Sequence, residues 1–158
     1  SLQRKCATRW LRNLNGNDMK DVFDTAVALS IKYHAGQFYG DKPYSYHISA
    51  VVESVAKKWG QGNRDLLAIA ALHDILEDTE LTEQELIILV GKDITKCVAA
   101  LTKLDGEDYD KYIHRVKEFH YSKEVKIHDT LCNLTESIMA DSAYRVKKYS
   151  NQLNLLVK

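Results

Sequence analysis

Apolar residues recur at three- and four-residue spacing along most of this chain, and no segment alternates for long enough to argue for a sheet. Val22, Phe23, Ala26, Leu29, Ser30 and Tyr33 trace the first stripe. It predicts a helix from about 19 to 34, capped by Asn17 or Asp18 and stopped at Gly36. Residues 36–46 (GQFYGDKPYSY) gather two Gly, the one Pro and three Tyr, and read as a loop. A second helix is expected over 45–59, with Ile48, Val51, Val52 and Val55 inward and Trp59 in the core, ended by Gly60 and Gly62. Asn63 caps a third over 63–77, where Leu66, Leu67, Ile69, Ala70, Leu72 and Ile75 leave almost no polar face. Such a helix belongs at the buried centre of a bundle. Thr82 followed by Glu85 is a capping box that opens a short helix before Gly91. Further helices are expected over 92–104, 108–120, 122–138 and 141–157. The pattern predicts an all-α, single compact helical bundle of about seven helices. Its domain spans 19–158, and the basic stretch 1–18 reads as an N-terminal arm or a cloning remnant.

Composition narrows the classes of function. A chain of 158 residues with 45% hydrophobic residues can bury one sizeable core. Its 22 Lys+Arg balance 22 Asp+Glu. A net charge of zero argues against gripping nucleic acid or an anionic membrane through an overall field, although a local basic patch remains compatible with it. No apolar run approaches the ~18 residues of a membrane span, and no secretory pattern opens the chain. Cys6, Cys97 and Cys132 show neither CxxC spacing nor an even count, and read as thiols in a reducing cytoplasm. The expectation is a cytoplasmic protein with no membrane span and no strong nucleic-acid binding; the oligomeric state stays open.

The candidate chemistry lies in the string Leu72-His73-Asp74-Ile75-Leu76-Glu77-Asp78. On a continuous helix at ~100° per residue, His73, Asp74, Glu77 and Asp78 share an arc of about 140°. Solvation at a helix end accounts for Glu77 and Asp78. It accounts poorly for His73-Asp74, which sit among Ile69, Ala70, Ala71 and Leu72. Polar groups in that setting need a shared compensation, and a metal ion with a polar substrate supplies one. Pro43-Tyr44-Ser45-Tyr46-His47 puts another His in the first turn of the second helix. Lys126-Ile127-His128-Asp129-Thr130-Leu131-Cys132-Asn133 puts Asp129 and Asn133 on one helix face at i, i+4. A His/His/Asp/Asp set suits Mn, Fe, Ni or Zn better than Ca. His128 reads as a supporting or surface residue, and His114 and His120 read as surface.

These motifs, in this order, resemble the HD-domain metal-dependent phosphohydrolases. The closer resemblance is to the hydrolase domain of the RelA/SpoT alarmone enzymes and to the small stand-alone alarmone hydrolases. That group carries His-x-x-Gln, here His34 to Gln37, then Pro-Tyr-x-x-His, here Pro43 to His47. It continues with Leu-His-Asp-x-x-Glu-Asp-Thr, here Leu72 to Thr79, then a Gly and a Leu-Thr-Lys, here Gly91 and Leu101 to Lys103. It ends on Lys-x-x-Asp-x-x-x-Asn, here Lys126, Asp129 and Asn133. The resemblance implies that His47, His73, Asp74 and Asp129 bind one divalent transition metal, with Mn2+ the favoured ion. It implies that Glu77 and Asp78 orient or deprotonate the attacking water, and that Lys126 and Asn133 sit at the substrate rim. The implied activity is removal of the 3′-pyrophosphate from guanosine tetraphosphate or pentaphosphate, with this small-molecule nucleotide as the partner.

The chain departs from the group in two places. Phe38-Tyr39, with one residue fewer before Pro43, stand where the group has an Arg, and Thr130 stands where it has another. Both changes remove cations suited to phosphate or purine. Tyr39, Tyr44 or Tyr46 would instead stack on a base, so Tyr39 and Tyr44 join the candidate substrate-binding residues. Three other readings stay open: a hydrolase of another nucleotide phosphate, a nucleotide-binding regulatory protein with little turnover, and a helical interaction module with a structural polar cluster. A nucleotide panel and metal analysis separate them.

Overall fold

The computed structural model describes residues 21–158. The stretch 1–18, the expected caps Asn17 and Asp18, and Cys6 lie outside the described residues. Within them the chain runs α1 (Val22–Tyr33), β1 (Phe38–Tyr39), β2 (Lys42–Pro43), α2 (Ser45–Trp59), α3 (Arg64–Leu72), α4 (Ile75–Asp78) and α5 (Glu83–Val90). It closes with α6 (Lys92–Leu101), α7 (Tyr109–Lys117), α8 (His120–Met139) and α9 (Ala143–Val157). The all-α class stands.

Local chemistry sets most of the helix starts. Asn63 Oδ1 accepts from Leu66 N–H at 3.3 Å and opens α3. Thr82 and Glu85 close a reciprocal capping box on α5. The first helix starts later than expected, because Asp21 takes the cap by accepting from Phe23 N–H at 3.1 Å. Asp21 also bonds Arg64, whose guanidinium lies 4.6 Å over the Phe23 ring.

The core forms around α3. Every residue from Leu66 to Leu72 is buried, and α1, α2, α6 and α8 all pack against it. Truncating one of its leucines to Ala would cost about 2–5 kcal/mol. Behind this, α9 lies along α8, buries Leu156 and sends Gln152 Nε2 to donate to Thr130 Oγ1 at 2.9 Å. Among the described residues no helix is long and apolar enough to cross a membrane. Cys97 and Cys132 are half-buried free thiols.

Three local expectations are corrected. Segment 36–46 is not plain loop: β1 and β2 pair antiparallel, with Phe38 opposite Pro43 and Tyr39 opposite Lys42. Gly40 at φ 61° makes the two-residue turn possible. Trp59 is not core but 38% exposed. It sits at the end of α2 with its indole N–H on Glu124 Oε2 at 3.1 Å, which suits a ring with one apolar body and one polar edge. The helix predicted over 63–77 breaks at His73-Asp74, and that break shapes the site.

Candidate functional site

Adjacent residues on a continuous helix diverge by about 100°. Here α3 ends at Leu72, Asp74 adopts φ −107° and ψ 0°, and the chain re-enters helix at Ile75. The turn points His73 and Asp74 at the same place, with His73 Nε2 lying 2.9 Å from Asp74 Oδ2. His73 Nδ1 lies 2.7 Å from Ala70 O. A carbonyl only accepts, so Nδ1 carries the proton of the neutral ring and Nε2 presents its lone pair.

Two other elements bring their groups to that lone pair. Helix α8 brings Asp129, whose Oδ1 is 3.6 Å from His73 Nε2. The first turn of α2 brings His47, whose Nε2 is 2.9 Å from Asp129 Oδ1 and 4.0 Å from Asp74 Oδ2. His47, His73 and Asp129 are buried, and their ligand atoms lie within 4.8 Å of one another. Asp74, Glu77 and Asp78 form a second such group, and Asp74 faces both.

The buried atom His73 Nε2 makes no hydrogen bond although two carboxylates are close. A nitrogen lone pair facing carboxylate oxygens in a dry interior is repulsive unless a cation lies among them. The same pull shows in the titration of the groups. Burial opposes a charged His73, yet the Asp74 and Asp129 carboxylates together outweigh it and raise the imidazole well above its ordinary value. Burial would raise Asp74, but His73 holds it down at about 2. Asp129 is held well below the usual carboxylate range, because Lys126 and the two imidazoles outweigh its burial. The donor set of two imidazoles and two carboxylates therefore fits a divalent transition metal.

The other expected residues surround this nest. Lys126 is nearly buried and donates to Asp129 Oδ2 at 2.9 Å. Asn133 Nδ2 donates to Asp129 Oδ1 at 2.9 Å. Tyr44 donates to Asp74 Oδ2 at 2.6 Å and approaches Asp78 Oδ2 at 3.4 Å. Tyr39 donates to Asn133 Oδ1 at 2.7 Å. Glu77 and Asp78 are exposed at the mouth. Glu77 Oε1 accepts from Lys103 N–H at 2.8 Å, and burial of their carboxyl groups raises the pKa of both acids.

The site has two open sides. A cavity of about 580 Å³ runs past Gln37, Glu77, Asp78 and Lys32. A smaller one of about 230 Å³ is bounded by Tyr39, Tyr46, His47, Thr135 and Glu136.

Two supporting residues do not stand among the expected site residues. His34 Nδ1 is 2.7 Å from Gln37 Oε1, and Gln37 Nε2 donates to Asp78 O at 2.8 Å. The His34 ring stacks on Tyr44 at 4.9 Å. The His-x-x-Gln spacing was the available signal. His128 is buried beside Ser54 rather than at the surface, with Nδ1 and Oγ 2.7 Å apart. His114 and His120 are exposed. Thr130 does not face the site. Its hydroxyl donates to Lys126 O at 2.6 Å and accepts from Gln152 on α9, so an arginine is missing there from the α9 side of the helix.

Comparison with known proteins points the same way. No family model matches the chain. Over 96 residues, 59% of this chain, it is 31% identical to a protein of Mycoplasma pneumoniae described as a probable guanosine-3′,5′-bis(diphosphate) 3′-pyrophosphohydrolase. The matched part is 13% of that protein's length. A solved structure titled "A metazoan ortholog of SpoT hydrolyzes ppGpp and plays a role in starvation responses" superposes with a TM-score of 0.72 at 19% identity. It covers 90% of this chain and 86% of its own. That likeness shows the fold. In sequence and in fold, then, the chain resembles the alarmone-hydrolase group that its motifs suggest.

Proposed function

We propose that this chain is a metal-dependent phosphohydrolase that removes the 3′-pyrophosphate from guanosine tetraphosphate and pentaphosphate. Residues 19–158 would be the catalytic unit, at work in the cytoplasm where such a nucleotide is found. The observation that carries the reading is the buried, unbonded His73 Nε2 facing Asp74 and Asp129, with His47 completing the set. The 3′-pyrophosphohydrolase description of the Mycoplasma relative and the SpoT-like fold support the choice of substrate.

His47, His73, Asp74 and Asp129 would hold one divalent ion, Mn2+ by preference. Bound there, it would supply a Lewis acid for a phosphoryl oxygen and acidify a water. The chain's own groups do the rest. Glu77 and Asp78 stand at the mouth with raised pKa values, suited to orienting water and accepting its proton. Water attacks the phosphorus attached to ribose O3′, the P–O3′ bond breaks, O3′ recovers a proton and pyrophosphate leaves. Lys126 brings the nearest fixed positive charge, beside Asp129. Tyr44 orients Asp74, and Asn133 orients Asp129.

The missing arginine at Thr130 takes little from this reading, because that side chain is turned to α9. The test is pyrophosphate release from guanosine 3′,5′-bisdiphosphate by purified protein with Mn2+. Turnover is expected in the parent and is expected to be abolished in Asp74→Asn, which takes a carboxylate from the donor set. Unchanged turnover in that variant, or faster release of phosphate from an unrelated nucleotide, would refute the assignment.

A further inference from the structure

Asn133 is held from two sides. A carboxylate accepts only, so the amide must turn Nδ2 toward Asp129, which it meets at 2.9 Å. That leaves Oδ1 half-buried and in need of a donor. Tyr39, 94 residues away in sequence, supplies it at 2.7 Å. The ring of the same residue lies against the His47 imidazole, centroids 4.6 Å apart and planes 10° from parallel. His47 Nε2 in turn lies 2.9 Å from Asp129 Oδ1. The contacts thus close into a loop: Tyr39 to Asn133, Asn133 to Asp129, Asp129 to His47, and His47 back to Tyr39.

We propose that Tyr39 is a positioning residue for the metal centre: its ring braces the His47 imidazole and its hydroxyl fixes the amide of Asn133 against Asp129. This rests on the metal-centre reading above, and it assigns Tyr39 to the ion rather than to a nucleobase. The hairpin makes the placement firm. Tyr39 pairs with Lys42 across the Gly40-Asp41 turn, and Tyr44 N–H donates to Gln37 O at 3.0 Å just outside it. A side chain that already has one ring face on a histidine and its hydroxyl on an amide has little left for a base. Its loss would instead free two of the groups that must converge on the ion. Partners of this kind typically change metal affinity or activity by about 10–100-fold when removed.

The test measures Mn2+ affinity directly, from the electron paramagnetic resonance signal of free aqueous Mn2+ during titration of the purified protein. Tyr39→Phe keeps the ring and the fold and is expected to weaken Mn2+ by about tenfold, with Tyr39→Leu weaker still. At saturating Mn2+, kcat and the nucleotide KM of Tyr39→Phe should return to within about twofold of the parent. Adding Tyr39→Phe to Asn133→Leu should weaken Mn2+ no further than Asn133→Leu alone, since the hydroxyl acts through that amide. Phe38→Ser, at the exposed neighbour on the same strand, should leave Mn2+ affinity unchanged.

Parent-like Mn2+ affinity in both Tyr39 variants, with a raised nucleotide KM in Tyr39→Leu, would overturn the inference in favour of base stacking. Equal weakening in Phe38→Ser would overturn it as a general effect of hairpin loosening. A parent that binds Mn2+ and hydrolyses the nucleotide while Tyr39→Phe behaves identically sinks this inference alone. A parent that binds no Mn2+ sinks the proposed function with it.

Discussion

Two halves of the site share Asp74 and are built on opposite terms. The nest of His47, His73 and Asp129 is buried and held by residues distant in sequence, from β1, α2, α3 and α8. The mouth, Glu77 and Asp78, is exposed and held mainly by backbone. Lys103 N–H reaches Glu77, and Gln37 reaches the Asp78 carbonyl. In the nest, each charge is part of the fold's own electrostatic balance, because a buried charge must be compensated. At the mouth, partial shielding from water and the nearby Asp74 charge raise the pKa of both carboxyls, so the fold gains little from their charge. On the proposed function this is a division of labour: the groups assigned to an ion are welded into the structure, and the groups assigned to proton transfer are left on its edge.

The largest effect should separate the two halves. Asp129→Ala strips partners from His47, Asn133 and Lys126 and leaves the Lys126 ammonium buried without its nearest counter-charge. It should cost about 3–5 kcal/mol in urea denaturation and abolish turnover. Glu77→Gln should lower turnover by about 10²–10⁴-fold while stability stays within about 1 kcal/mol of the parent. Equal stability losses in the two variants would erase the distinction.

A smaller effect comes from the metal itself. With Mn2+ at about 100 times its dissociation constant, the parent should gain about 2.7 kcal/mol over chelator-treated protein. His73→Ala should lose that gain and Asp78→Asn should keep most of it, read by thermal melting with and without chelator. In the chelated state Asp78→Asn should melt at the parent temperature or slightly above, since it removes a carboxylate from beside Asp74.

The smallest effect concerns the loop that presents Lys103 to Glu77. Arg115 binds Glu107 at 2.7 Å and Thr102 O at 2.8 Å, and Glu107 accepts from Leu104 N–H at 3.0 Å. The Arg115 hydrogen bond holds the Glu107 carboxyl down at about 2, from an ordinary 4.5. A depressed carboxyl stabilises the native state above its unfolded pKa and loses that contribution as pH falls through the folded one. The loss should therefore fall between about 4.5 and 2. Glu107→Gln should flatten this part of the acid limb in thermal melts, and an unchanged limb would deny the pair its role.

What could be read from the sequence was local. The Asn63 cap and the Thr82/Glu85 box are decided within four residues, and they stand where the pattern put them. The apolar run of α3 announced its own burial. The break at His73-Asp74 was invisible, because Leu72, Ile75 and Leu76 continue the helical spacing across it. Trp59 misled because size suggests burial, whereas an indole with a polar edge is equally at home on a rim. The pairing of Tyr39 with Asn133 crosses 94 residues and follows no periodicity; only the tertiary fold brings it about. The candidate ligands were legible as residue types in order. Their bracing was not.

The interruption after Leu72 also bears on how such a protein can decay over generations. One residue inserted between His73 and Asp74 would leave the apolar register from Leu66 to Leu72 untouched. It would nevertheless carry Asp74, one of the residues assigned to the ion, away from His73. Lineages can thus lose the chemistry while keeping the shape. If the proposed function holds, the His73-Asp74 pair at the break is a better sign of activity than the fold itself.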